Sequence, residues 1–280
     1  MATAAALQSA LQTLFDRRSP LIVAHRGTTL GSFPDNTLRS AIGALQSGAD
    51  VIETDVIVST DGEYFCFHNG YEPKLLTEQV DLRTLTAAEI EQKRFAWQGG
   101  KAQPGPERLS SLLDGLPDSW INIDRSWDLW PGLLDWLDRA DVAERVLLKS
   151  PPKPGPLAAL AAHRVPYLYF PIVRTPDELA AVEAIDGINL IGAELLAANE
   201  DDPFADPAAV AAVAERYPFV QLNAINLENG ARLYLDFDDD TSILTGPEAG
   251  WGRLVEAGAT VIQTDWPHLL RDYLASRVPA

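Results

Sequence analysis

The sequence predicts an α/β protein folded as a closed eight-stranded TIM (β/α)8 barrel. The chain has 280 residues, a length at which such barrels commonly form one domain. Short apolar runs alternate with helix-patterned stretches, the order expected of parallel strands joined by crossover helices. No linker or composition break divides the chain, so residues 1–280 read as a single domain.

Leu7, Leu11, Leu14 and Phe15 follow helical spacing and predict an amphipathic helix ending near Arg17 and Arg18. Leu21–Ala24 is a buried-strand run ending at His25. Leu38, Ile42 and Leu45 mark a helix that Asp35 or Asn36 can cap and Gly48 can end. Asp50–Val58 is a strand with carboxylates on alternate residues. Tyr64–His68 is a shorter strand that leaves the barrel path after the turn at Asp61 and Gly62.

Thr86 and Glu89 form a capping box, with Leu85 and Ile90 spaced as a hydrophobic staple. Trp97–Pro106 is rich in Gly and Pro and reads as a loop. Strand-like runs return at Trp120–Asp124, Arg145–Lys149, Tyr167–Ile172, Gly187–Ile191, Phe219–Leu222, Arg232–Leu235 and Thr260–Thr264. Helical patterns lie between most of them, at Trp130–Arg139, Ala208–Arg216 and Trp251–Ala257, the last stopped by Gly258. This is one strand more than a barrel holds, so either Gly187–Ile191 or Phe219–Leu222 is expected to lie outside it. Asp265 reads as the cap of the last helix, with Pro267 in its first turn.

Lys and Arg number 22 against 40 Asp and Glu, a formal charge of -18. Such a chain repels nucleic acid and anionic lipid at long range, so neither is an expected partner. An anionic substrate would need a local positive feature, and a bound metal is the obvious one. The single cysteine, Cys66, excludes an intramolecular disulfide framework and a Cys-based zinc site. The start of the chain lacks a secretory pattern, and no apolar run reaches the roughly 20 residues that span a bilayer. A cytoplasmic protein is the expectation. The acidic runs at Glu200–Asp202 and Asp236–Asp240 read as solvated loops, with a polyol-binding lid as the functional alternative.

Barrel active sites form at the C-terminal ends of the strands. The polar residues there are His25 and Arg26, Glu53 and Asp55, Asp124, Lys149, and Thr264 with Asp265. Glu53 and Asp55 share one face of a strand, and adding Asp124 brings three hard oxygen ligands to one point. Such a set suits Mg²⁺ or Ca²⁺. Arg26 and Lys149 can face phosphate oxygens, and His25 and His68 can transfer protons near neutral pH. Together these groups describe a phosphodiester-cleaving site.

The set His25-Arg26-Gly27, Asn36-Thr37, Glu53-Thr54-Asp55 and His68, with the closing run Gly258–Pro267, resembles the glycerophosphodiester phosphodiesterase family. The resemblance implies a small insertion after the second strand, at about residues 60–110. It also implies metal-dependent cleavage of a small phosphodiester to an alcohol and a phosphomonoester, a step in lipid metabolism. Carried over by position, His25 and His68 become the acid/base pair, Glu53, Asp55 and Asp124 the metal ligands, and Arg26 a phosphate contact. Three departures stand out. Asp124-Arg125-Ser126 replaces the family's Glu-x-Lys, and Lys149 on the adjacent strand can supply the missing ammonium. His68-Asn69 replaces a frequent His-Asp. Leu233–Asp236 stands where the seventh strand often ends in Trp-Thr.

Other readings stay open at this point. The substrate can be a sugar phosphodiester. The reaction can be that of a lyase which releases a cyclic phosphate, as in venom phospholipase D enzymes. From a different class, the chain can be a barrel that binds diesters without turnover, which the missing third-strand lysine favours and the two histidines oppose.

Overall fold

The computed structural model describes residues 2–30, 32–96 and 104–277. Eight strands form the barrel: β1 Leu21–Ala24, β2 Val51–Val58, β3 Trp120–Asp124, β4 Val146–Ser150, β5 Leu168–Val173, β6 Gly192–Leu195, β7 Phe219–Asn223 and β8 Val261–Thr264. Each pairs in parallel with the next, and β1 pairs with both β2 and β8, which closes the sheet. Helices return the chain between most strands, as the alternating pattern requires.

The lumen has two zones. Leu21, Val51, Leu147, Leu168, Phe219 and Val261 enter it from the strand starts and form an apolar floor. The helix Ala4–Phe15 closes that end by laying the predicted Leu7, Leu11 and Leu14 against the floor. Above the floor the inward residues turn polar: Glu53, Asp55, Asn122, Lys149, Glu194, Gln221, Asn223 and Gln263. A second apolar layer sits outside the sheet, beneath the returning helices. On one side it includes Leu112, Leu134, Leu148 and Leu160, and on the other Val210, Leu222, Leu254 and Leu270.

The insertion lies between β2 and β3. Its strand Tyr64–Cys66 runs antiparallel beside the end of β2 and also pairs with Glu107–Arg108. Phe65, Phe67, Leu76, Leu82, Ile90 and Phe95 give it a small core. The capping box at Thr86 and Glu89 starts the helix Ala87–Ile90. Residues 97–103 of the expected loop lie outside the described residues.

Several expectations need correction. Phe219–Asn223 is a barrel strand, and the surplus run is Arg232–Leu235, which makes only a bridge from Tyr234 to Ala197. The seventh strand therefore ends at Asn223, so Leu233–Asp236 is no counterpart of the family's strand end. The sixth barrel strand begins at Gly192, just beyond the expected Gly187–Ile191, of which only Asn189 and Leu190 pair. A Cβ at Gly192 would meet the Phe219 carbonyl oxygen at 1.7 Å, so only glycine lets β6 and β7 approach there. Neither Asp35 nor Asn36 caps the first returning helix. Thr37 does, in a reciprocal capping box with Ser40.

Candidate active site

The turn after β1 sets the first residues of the site. Arg26 and Gly27 both take left-handed backbone, with φ of 53° and 81°. A Cβ on Gly27 would stand 2.5 Å from Ser40 Oγ and 2.7 Å from the Ser40 carbonyl carbon, so glycine is required. The turn points the Arg26 N–H at Glu53 Oε2, 2.9 Å away, and brings its guanidinium Nε to 2.9 Å from Asp55 Oδ2. The same guanidinium lies over the Tyr71 ring. Asn36, also left-handed at φ 57°, donates to Asp55 Oδ2 and accepts the Asp55 N–H and the Thr54 hydroxyl.

In the parallel register Asp55 stands beside Asp124, and Glu53 beside Asn122. Glu53, Asp55 and Asp124 each place one carboxylate oxygen within 4.8 Å of the others. From β4, the buried Lys149 ammonium lies 2.9 Å from Asp124 Oδ2 and 3.0 Å from Glu194 Oε2. Glu194 also accepts from Gln221 Nε2 and Asn223 Nδ2.

Four carboxylates of this layer thus face two fixed cations, Arg26 and Lys149, which leaves two negative charges uncompensated. Burial, and then Asp55, push the Glu53 carboxyl well above the glutamate range. Burial would raise Asp55 too, but Arg26, the two imidazoles and the Asn36 hydrogen bond together outweigh it and hold Asp55 low. Burial alone would lower Lys149, but Asp124 and Glu194 hold its pKa above the ordinary lysine value. Glu53 Oε1 is buried and has no hydrogen-bond partner among the described residues. Buried carboxylate oxygens are rarely left so, and an all-oxygen set with two spare charges fits a divalent metal ion.

Two imidazoles flank the cluster. His25 Nδ1 lies 2.8 Å from Asp265 Oδ1. Burial lowers the His25 pKa, but Asp265 more than offsets this and leaves it above the ordinary value. His68 reaches the mouth because Tyr64–Cys66 runs back along β2, with the Phe67 N–H donating to the Asp55 carbonyl. His68 Nδ1 lies 2.8 Å from the Asn69 main-chain oxygen, so its orientation does not depend on the side chain at position 69. Burial lowers its pKa, with Arg26 and Arg125 adding to the effect against Asp55.

His25, Arg26, Asp55, His68, Asp124 and Lys149 line one cavity of about 200 Å³. A neighbouring hollow of about 260 Å³ shares His25 and Arg26 and adds Asp35, Tyr71, Lys74, Glu228 and Trp266. Asp55 and Asp124 of the carboxylate cluster line only the smaller one, and the larger hollow is the adjoining space.

Residues 25–145 match the model described as the glycerophosphoryl diester phosphodiesterase family. That stretch, less than half of the chain, is similar to the glycerophosphodiester phosphodiesterase family. Residues 169–274 match a second model, described as a domain of unknown function. A probable glycerophosphodiester phosphodiesterase 1 of Mycobacterium tuberculosis is 33% identical over 109 residues, 39% of each chain. A glycerophosphodiester phosphodiesterase of Caldanaerobacter subterraneus is 28% identical over 141 residues, 46% of this chain and 57% of its own. The chain thus spans between two fifths and three fifths of the length of these curated relatives. Among solved structures, a glycerophosphoryl diester phosphodiesterase from Parabacteroides distasonis superposes with a TM-score of 0.80 at 15% identity, covering 100% of this chain and 94% of that one. A phosphodiesterase from Oleispira antarctica, solved in complex with the product sn-glycerol-3-phosphate, gives 0.67 at 18% identity, covering 94% and 99%. At these identities the structural likeness speaks for the fold.

The structure brings all seven expected residues to one mouth. It also adds groups that sequence reasoning missed. Glu194 shares Lys149 with Asp124, and its signal was an acid on an apolar strand, hidden because that strand was placed five residues early. Asp265 does not cap the last helix, whose N-cap residue is Trp266; its carboxylate turns to His25 instead. Nor are the acidic runs merely solvated. Asp202 accepts the Ala198 and Asn199 N–H groups, Asp238 caps a short helix, and Asp239 is buried.

Proposed function

We propose that this protein is a metal-dependent phosphodiesterase that hydrolyses a small, soluble, glycerophosphodiester-like substrate to an alcohol and a phosphomonoester. The observation that carries this reading is the cluster of Glu53, Asp55 and Asp124, two of whose members, Asp55 and Asp124, line one cavity with both imidazoles. In this reading the three carboxylates hold Mg²⁺ or Ca²⁺. When bound, the ion supplies Lewis-acid polarisation of a phosphoryl oxygen. Lys149 uses two of its three donors on Asp124 and Glu194 and keeps one for a phosphate oxygen. Arg26 offers the remaining N–H groups of its guanidinium.

His68 serves as the base that takes the proton of the attacking water. His25 serves as the acid that protonates the leaving oxygen. The opposite displacement of their pKa values supports this division, since His25 holds its proton more firmly. The net charge of -18 supports a small diester over nucleic acid or an anionic membrane. Among the described residues no helix is long and apolar enough to cross a membrane. A cytoplasmic setting is part of the proposal.

The test is turnover of a diester panel with Mg²⁺ or Ca²⁺, followed by phosphorus NMR. Chelator and His25→Ala serve as controls. A phosphomonoester that forms only with metal and with His25 is the expected result. Binding without turnover across a broad panel would make the protein a non-catalytic barrel. A persistent cyclic phosphate would make it a lyase.

A further inference from the structure

We propose that Asp265 is the positioning residue for His25, and that Asp239, from the segment after β7, locks Asp265 in place. The inference deepens the reading of His25 as a proton-transfer group and rests on it.

Asp265 follows the last residue of β8, and Thr264 stands opposite Ala24 in the β1–β8 register. The seam that closes the barrel therefore sets Asp265 beside His25, with the His25 N–H donating to the Thr264 carbonyl at 3.1 Å. Asp265 Oδ1 lies 2.8 Å from His25 Nδ1. Among the described residues this carboxylate has no other hydrogen-bond partner, and it plays no part in capping the helix Pro267–Ser276. An imidazole whose Nδ1–H is committed to a carboxylate keeps one tautomer and one ring orientation. Its Nε2 is then the atom left for the substrate.

A second carboxylate holds the first. Asp239 is 2% exposed, although it sits in a run of acids. Its Oδ2 accepts the Asp265 N–H at 2.8 Å. Its Oδ1 accepts the Thr264 hydroxyl and the Trp251 indole N–H, each at 2.7 Å. The Asp239 N–H is itself tied to the Ala224 carbonyl at the end of β7. Two side-chain donors and one main-chain donor thus converge on one buried carboxylate beneath the residue that faces His25. Asp238 and Asp240 beside it do no such work, the one capping a helix and the other standing exposed. Nothing in local turn chemistry calls for burying the middle acid, whereas fixing the backbone of Asp265 does.

The test uses the full chain with Mg²⁺, labelled with ¹⁵N at histidine, with the His25 signals assigned by His25→Gln. On the alkaline side of its titration, wild-type His25 is expected to show a protonated Nδ1 and an unprotonated Nε2. Asp265→Ala is expected to lose that tautomer signature and to lower kcat about 100-fold with KM within about threefold. Asp265→Asn is expected to keep the tautomer, since its oxygen is free to face Nδ1, and to recover part of the rate. Asp239→Asn is expected to lower kcat about tenfold, a partial loss of the same contribution, while melting as one cooperative unit. An unchanged His25 tautomer and kcat in Asp265→Ala would overturn the positioning role. A wild-type kcat in Asp239→Asn would overturn the lock. If the wild type turns over no diester, the hydrolase reading fails while the tautomer measurement still decides the role of Asp265.

Discussion

Glu53→Gln makes an unusual prediction: the variant should be more stable than the wild type without metal and less stable with it. The Glu53 and Asp55 oxygens lie within 4.8 Å of each other, inside the barrel. At that separation two full charges would repel by roughly 3.5 kcal/mol at an effective dielectric of about 20, and without metal the fold avoids this by keeping a proton on Glu53, at the cost of protonating it. Set against the attraction of His25 and Lys149, a net penalty of about 2 kcal/mol is a working figure. Unfolding entropy of about 2.1 cal/mol/K per residue converts this to about 3 °C for a chain of 280 residues. A metal at about 100 times its Kd adds about 2.7 kcal/mol, or about 5 °C. Calorimetric melts in chelator should therefore place Glu53→Gln about 3 °C above the wild type. Melts in Mg²⁺ or Ca²⁺ should reverse the order. The metal-free wild type should also lose stability as pH rises above the glutamate range. The folded state then keeps a proton on Glu53 that the unfolded chain has released, and the variant lacks that slope. A variant that melts lower in chelator, or that gains as much from metal as the wild type, would refute the charge argument.

Three further predictions address the frame around the site. Gly27→Ala puts a Cβ into Ser40 and a methyl on left-handed backbone, so urea titration should show a loss of about 2–4 kcal/mol and weaker metal binding. Lys149→Met leaves Asp124 and Glu194 without their shared cation, for a loss of about 3–5 kcal/mol by chemical denaturation. Adding Glu194→Gln should recover part of that loss, and full additivity of the two changes would argue against their coupling. Leu11→Ala opens a cavity at the far end of the barrel and should cost about 2–4 kcal/mol while leaving kcat unchanged.

The barrel was legible because its strands are short apolar runs at regular spacing. The carboxylate cluster was legible because Glu53 and Asp55 share a strand face. What failed, failed for local reasons. Gly187–Ile191 carries Ile and Leu, whereas the true sixth strand is Gly-Ala-Glu-Leu, whose weak strand propensity hid both the strand and its glutamate. Leu233-Tyr234-Leu235 has the composition of a strand but finds no neighbour to pair beyond one bridge. Asp265 before Trp-Pro looks like a helix cap, and a partner 240 positions away in the chain overrode that preference. The burial of Asp239 depends on donors from Thr264, Asp265 and Trp251, which no local pattern exposes.

The closed sheet divides its labour along the chain. The seven expected groups of the mouth all come from β1 to β4 and the insertion. The second half contributes Glu194, Asp239 and Asp265, which hold those groups from behind, together with the Asn226–Glu228 and Trp266 surface of the larger hollow. Both hollows are therefore walled by both halves of the chain, while the carboxylate cluster and the two imidazoles come from the first half alone. Substitutions at Asn226, Glu228 or Trp266 can change part of the larger hollow's wall while the Glu53, Asp55 and Asp124 cluster stays untouched. On the proposed function, a chimera that exchanges the stretch after β4 with another barrel of this shape should change which diesters it turns over while the Glu53, Asp55 and Asp124 cluster still binds added Mg²⁺.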